Sequence, residues 1–92
     1  MPDRTVPEVN RAAAARRAVE RRRARASLKR DLSMRVVTPQ RIAAQAFDDA
    51  ESVAGSMRVT DFLLALPAIG IGKRDRILAD LDISPVKRLG GL

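Results

Sequence analysis

The chain has 92 residues, with 18 lysines and arginines against 11 aspartates and glutamates, a net charge of +7 at pH 7, and neither His nor Cys. That is enough chain for one small domain. It excludes thiolate or imidazole catalysis, Cys/His metal sites and disulfide staples, and it favours a polyanionic partner.

In chain order, residues 1–8 carry two prolines and mixed charge and read as a flexible N-terminus. Residues 9–35 read as a basic N-terminal helix, rich in Ala, Arg and Leu and free of Gly and Pro from Val9 to Met34. Between Arg11 and Arg30 lie nine of the 18 basic residues and a single acid, Glu20. Arg16, Arg17, Arg21, Arg22, Arg23 and Arg25 are the candidate phosphate contacts here. A helix lying on a membrane would need Leu, Phe or Trp opposite the arginines, and alanine supplies little insertion energy. Leu28 and Leu32, one turn apart, should seat the C-terminal end of this helix on a core. Its first half has mostly alanine to bury. It should project, or stay partly unfolded without a partner.

Residues 36–92 read as a helical domain. Thr38-Pro39 is a helix start, an N-cap side chain followed by Pro at the first helical position. Ile42, Ala46, Phe47 and Ala50 then form an apolar face, with Gly55 as a stop. Arg58-Val59-Thr60 opens the next helix, and Val59, Phe62, Leu63 and Leu66 make its inward stripe. Pro67 ends it. Ile69 and Ile71 flank Gly70 in a turn, and a further helix opens with Lys73 and Arg74. Ile77, Leu78 and Leu81 should be its buried side. Ser84-Pro85 repeats the start signal for a short turn through Leu89, ended by Gly90-Gly91. Both phenylalanines, the only aromatic residues, should be core. No platform is then left for stacking splayed bases, so contact with a duplex backbone is favoured over a single strand. No segment alternates with period two. The expected fold is all-α, with five helical pieces and no sheet.

The turn from Leu66 to Lys73 is similar to the hairpin of helix-hairpin-helix and helix-two-turn-helix modules, with Ala68 where many carry a first glycine. Gly70 and Gly72 let the backbone approach a phosphate and adopt positive φ. Ile71 between them should plug the turn into the core. The following helix offers free N–H groups beside Lys73 and Arg74. The bland alternative is an ordinary helix–helix turn. Lys87 and Arg88 by themselves read as a surface pair.

Three stretches together resemble the actinobacterial integration host factor family. The first is Arg22-Arg23-Ala24-Arg25-Ala26-Ser27-Leu28-Lys29 with Leu32. The second is Gly55-Ser56-Met57-Arg58-Val59 with Leu63, Ala65, Leu66 and Pro67. The third runs from Ile69, Gly70, Lys73 and Ile77 to Ile83, Lys87, Arg88, Leu89, Gly91 and Leu92. The likeness covers most of the chain from about residue 11 onward; its second stretch is the most specific. Three departures stand out. Ile71 replaces a usual Lys, Gly90 replaces a third basic residue after Lys87-Arg88, and family members usually continue past the position of Leu92.

The resemblance implies a long basic N-terminal helix on a small helix-two-turn-helix domain. It implies a monomeric, nucleoid-associated protein that binds and bends double-stranded DNA without sequence specificity; the lack of Cys and of a signal peptide points to the cytoplasm. The resemblance also implies a role in phage integration or excision, with a site-specific recombinase as a further partner, and neither enzymatic activity nor a cofactor. It promotes Lys87 and Arg88 to a second backbone contact, close to the hairpin in space. Two other readings remain open: an RNA-binding helix-two-turn-helix module, and an adaptor whose basic helix docks an acidic protein surface.

Overall fold

The Ala/Arg/Leu run without Gly or Pro forms one long helix, α1 (Glu8–Ser33), in a computed structural model that describes residues 8–92, with side chains from residue 10. The flexible start expected up to residue 7 lies outside the described residues; Glu8 already belongs to α1. The helix closes with two bonds, Val36 N–H to the Asp31 carbonyl at 2.8 Å and Arg35 N–H to the Leu32 carbonyl at 3.2 Å. This is the closure that usually puts glycine in the left-handed position; here Arg35 occupies it at φ 61°.

The second helix, α2 (Pro39–Asp48), starts where its sequence said it would, with Thr38 Oγ1 accepting the Arg41 N–H at 3.2 Å. Ile42 and Ala46, one turn apart, are buried. Phe47 is not core as expected; it is 62% exposed. It is the neighbour of Ala46 in the chain, a long step round the helix from the buried line. Ala50 lies beyond the helix end and extends no face.

Gly55 is not a stop. It sits within the single-turn helix α3 (Val53–Ser56), where its N–H bonds to Ser52 Oγ at 3.0 Å. Its reason is close packing: a Cβ there would meet the Ala50 carbonyl group, with Ala50 C at 2.7 Å and the Asp49 oxygen at 2.8 Å. Gly90 crowds the same residue, with Ala50 Cα 2.7 Å from where its Cβ would stand. Ala50 is thus held between two glycines. A side chain at position 90 would not fit here without a shift.

The fourth helix, α4 (Val59–Ala65), buries Val59 and Leu63, with Phe62 and Leu66 packed at the edge of the core. The fifth, α5 (Ile71–Asp80), buries Leu78 and half-buries Ile77. Leu81, expected on that face, is 63% exposed, because the helix ends at Asp80. Asp82 then turns to φ 53° and Ile83 N–H bonds back to the Leu78 carbonyl at 2.8 Å. Ile83 takes the packing place intended for Leu81.

Ser84-Pro85 starts a tight turn rather than a helix, closed by Lys87 N–H to the Ser84 carbonyl at 3.0 Å. A 3-10 turn, Leu89–Gly91, follows, so Gly90 and Gly91 lie inside it rather than beyond it. The described residues therefore hold five α-helices and no strand, and one isolated antiparallel bridge joins Arg58 to Arg88. Leu32, Ile42 and Met57 are the largest fully buried side chains, and no polar or charged side chain is buried among the described residues. The molecule measures 55 × 29 × 25 Å, and residues 10–20 of α1 are exposed except Ala13 and Val19, which are half-buried.

Candidate nucleic-acid interface

On α1, Arg21, Arg25, Leu28 and Leu32 follow the i, i+4, i+7, i+11 spacing that keeps side chains on one face. The stripe is apolar where it meets the core and basic above it. Both arginines brace the helix against the body. Arg21 Nη2 donates to the Glu51 carbonyl at 2.8 Å, and Arg25 Nη1 donates to Ser56 Oγ at 3.3 Å. Arg16, Arg17, Arg22 and Arg23 are exposed and form no ion pair among the described residues. The six arginines singled out in the sequence therefore divide into four free cations and two that also anchor the arm.

Arg25 opens onto a hollow of about 220 Å³ that it shares with Ser56, Arg58, Asp61 and Arg88. The bridge explains why the last two arginines meet. Val59 N–H bonds to the Lys87 carbonyl at 2.8 Å and Leu89 N–H to the Met57 carbonyl at 2.9 Å. Those bonds flank Arg58 and Arg88, which makes them the closely spaced, non-hydrogen-bonded kind of pair, with side chains leaving the same side. Three guanidinium groups thus face one carboxylate, Asp61. None of them forms an ion pair: the ion pair among the described residues is Arg74 with Asp75. Such a cluster attracts an anion with several oxygens.

Arg58 is the site residue that sequence reasoning missed. It was read as a helix opener, and its partner lies 30 positions away. Lys87 and Arg88, expected to act as a pair, are divided. Arg88 joins the hollow, while the Lys87 side chain lies over Gly91, its Cε 3.3 Å from where a Cβ on that glycine would stand. The bridge holds the pair at the start of α4, and the hairpin leaves the other end of that helix.

The hairpin runs from Leu66 to Gly70, and α5 begins earlier than expected, at Ile71. Gly70 is the N-cap at φ −95°, and Gly72 lies within the helix. No glycine among the described residues has positive φ. The left-handed turn expected here is absent, and the conformation itself does not require glycine. What the two glycines provide is access: nothing lies within 4 Å of a Cβ on either, and no side chain caps the start of α5. Ile71, expected to plug the turn, is 64% exposed; Ile69 packs against the core instead. Lys73 is exposed at the hairpin. Arg74 is committed internally, donating from Nη1 to Thr60 Oγ1 at 3.1 Å and pairing with Asp75 at 2.8 Å. It ties α5 to α4 rather than reaching outward. No helix among the described residues is long and apolar enough to cross a membrane.

No family model matches the chain. It is 39% identical over 82 residues to an integration host factor of Mycolicibacterium smegmatis and 43% identical over 84 residues to that of Mycobacterium tuberculosis. Each match covers 89% of this chain and 76% of the relative. A 38-residue stretch is 58% identical to part of a guanylate kinase of Leifsonia xyli subsp. xyli, which is 41% of this chain but 15% of that protein. The fold is similar to a solved structure of sIHF bound to an 8-base-pair palindromic DNA, with a TM-score of 0.74, 30% identity and 84% of both chains covered.

Proposed function

The chain belongs to the integration host factor family of mycobacteria, and from that premise we propose that it is an architectural protein that grips the backbone of duplex DNA, bends it, and reads little of its sequence. The observation that carries this reading is the hollow where Arg25, Arg58 and Arg88 converge without an ion-pair partner. Guanidinium forks match phosphate oxygens, and phosphate contacts hold a duplex without reading bases. The exposed arginines of α1 extend the same basic surface along the arm. Gly70, Gly72 and Lys73 form a second, smaller contact through the uncapped start of α5. Two contacts at opposite ends of α4 can hold a duplex off its straight path. On this reading the protein works in the cytoplasm on the nucleoid, as a monomer off DNA. It serves site-specific recombination by presenting a bent duplex to a recombinase.

The test is a titration of labelled duplexes of unrelated sequence at several salt concentrations. With ~5–8 phosphates engaged, log K should fall against log salt with a slope of about −4.5 to −7. A flat salt dependence, preference for one sequence by more than about a thousandfold, or tighter binding of structured RNA in competition would each overturn it. The end-to-end distance of a doubly labelled duplex reads the bend.

A further inference from the structure

A second surface has different chemistry from the arginine hollow. Where α1 ends and the hairpin passes, Leu32, Val37, Pro39, Leu66, Pro67 and Ile69 line an open groove of about 470 Å³. Two cations, Arg35 and Lys73, stand on its walls. Neither pairs with a carboxylate among the described residues. Met34, Val36 and Ile71, chain neighbours of those walls, are each about two-thirds exposed. Arg35 is also held at φ 61°, a conformation that costs an L-residue and that glycine would adopt freely. A bare phosphate backbone is a poor occupant, because its charges would face an aliphatic wall. An apolar side chain flanked by carboxylates fits both features.

The chain itself presents such a segment. Phe47 is 62% exposed at the end of α2, and Asp48, Asp49 and Glu51 follow it, all exposed and none ion-paired among the described residues. We infer that the groove receives Phe47 of a second copy of this chain, with Asp48 and Asp49 of that copy facing Arg35, while Lys73 at the hairpin keeps its place toward the duplex. Donor and acceptor are different patches, so the contact is head-to-tail and repeats from copy to copy. One aromatic side chain and a few charges make a contact far below the roughly 1,000 Å² of a stable interface. Copies therefore remain separate in solution. Bound side by side on a duplex, they meet at high effective concentration, and the weak contact becomes cooperative binding.

The inference rests on the DNA-binding reading, and the experiment separates the two. Full-length protein is titrated against a short duplex that holds one copy and a long duplex that holds several. Wild type should bind the long duplex cooperatively, with added copies gaining about tenfold in affinity, which is about 1.4 kcal/mol. Phe47→Ser should abolish that gain and leave short-duplex affinity unchanged. Arg35→Asp should abolish it too, and Asp48→Arg combined with Arg35→Asp should restore it. Failure of wild type to bind the short duplex would overturn the DNA-binding reading itself. Normal short-duplex binding without cooperativity on the long one would overturn only the contact between copies. So would cooperativity that survives Phe47→Ser. Loss of short-duplex binding in Arg35→Asp, not recovered by Asp48→Arg, would mean that the groove faces DNA.

Discussion

Arg58 and Arg88 lie opposite each other in a two-residue antiparallel bridge, in the register that brings facing side chains closest. Like charges placed directly opposite are destabilising. The fold therefore tolerates a local repulsion, which a phosphate bound between the two would relieve.

Neutralising both with Arg58→Ala and Arg88→Ala should weaken duplex binding and make the salt slope shallower by about two units. The melting temperature should hold or rise slightly, since a repulsion of about 0.2–1 kcal/mol is removed. Lys87→Ala should weaken binding less than Arg88→Ala. Unaltered affinity in the double variant would show that the hollow is not a contact.

The glycines should separate by role. Gly90→Ala should destabilise the domain by about 1–3 kcal/mol in chemical denaturation, because the added methyl meets Ala50. Gly70→Val has open space and an ordinary φ, so it should leave the melting temperature nearly unchanged. If the hairpin is approached by a phosphate, Gly70→Val and Lys73→Glu should both bind more weakly while circular dichroism stays native. Equal binding by folded Lys73→Glu would remove the hairpin from the interface.

Leu32 is 1% exposed where α1 meets the core. Leu32→Ala should cost about 2–5 kcal/mol, since it removes packed methyls and leaves a cavity. A loss below ~1 kcal/mol in urea denaturation would mean that α1 is not docked as the structure has it.

Along α1, amide exchange should follow what each half can bury. Residues 10–20 pack against little and should exchange quickly in the free protein, while the turn around Leu28 and Leu32 should be protected. Adding duplex should slow exchange in the first half. Deleting residues 1–20 spares the Arg21 and Arg25 braces, so the body should melt as before and bind DNA more weakly. Strong protection of the first half without DNA would contradict this division of labour.

Local signals in the sequence were sufficient for the helices and for the chemistry of the partner. Thr38-Pro39, the stripe from Val59 to Leu66 and the unbroken run of α1 act within a few residues, and caps and i, i+4 pairs are interactions of that range. Charge and the near absence of aromatics are properties of composition, so the expectation of a phosphate-backbone partner needed no fold.

Errors gathered where the path of the chain decides. Phe47 and Leu81 fit an apolar pattern in the sequence. Phe47 lies off the buried line of α2, and Leu81 lies past the end of α5. Gly55 and Gly90 read as stops, but each is there because Ala50, distant from Gly90 in sequence, passes too close for a side chain. Arg74 looked free and is tied to Thr60; Arg58 looked local and faces Arg88. Which cations converge depends on a bridge between positions 30 apart. That separation is invisible to any pattern of period 3.6 or 2, and only the packed tertiary structure determines it.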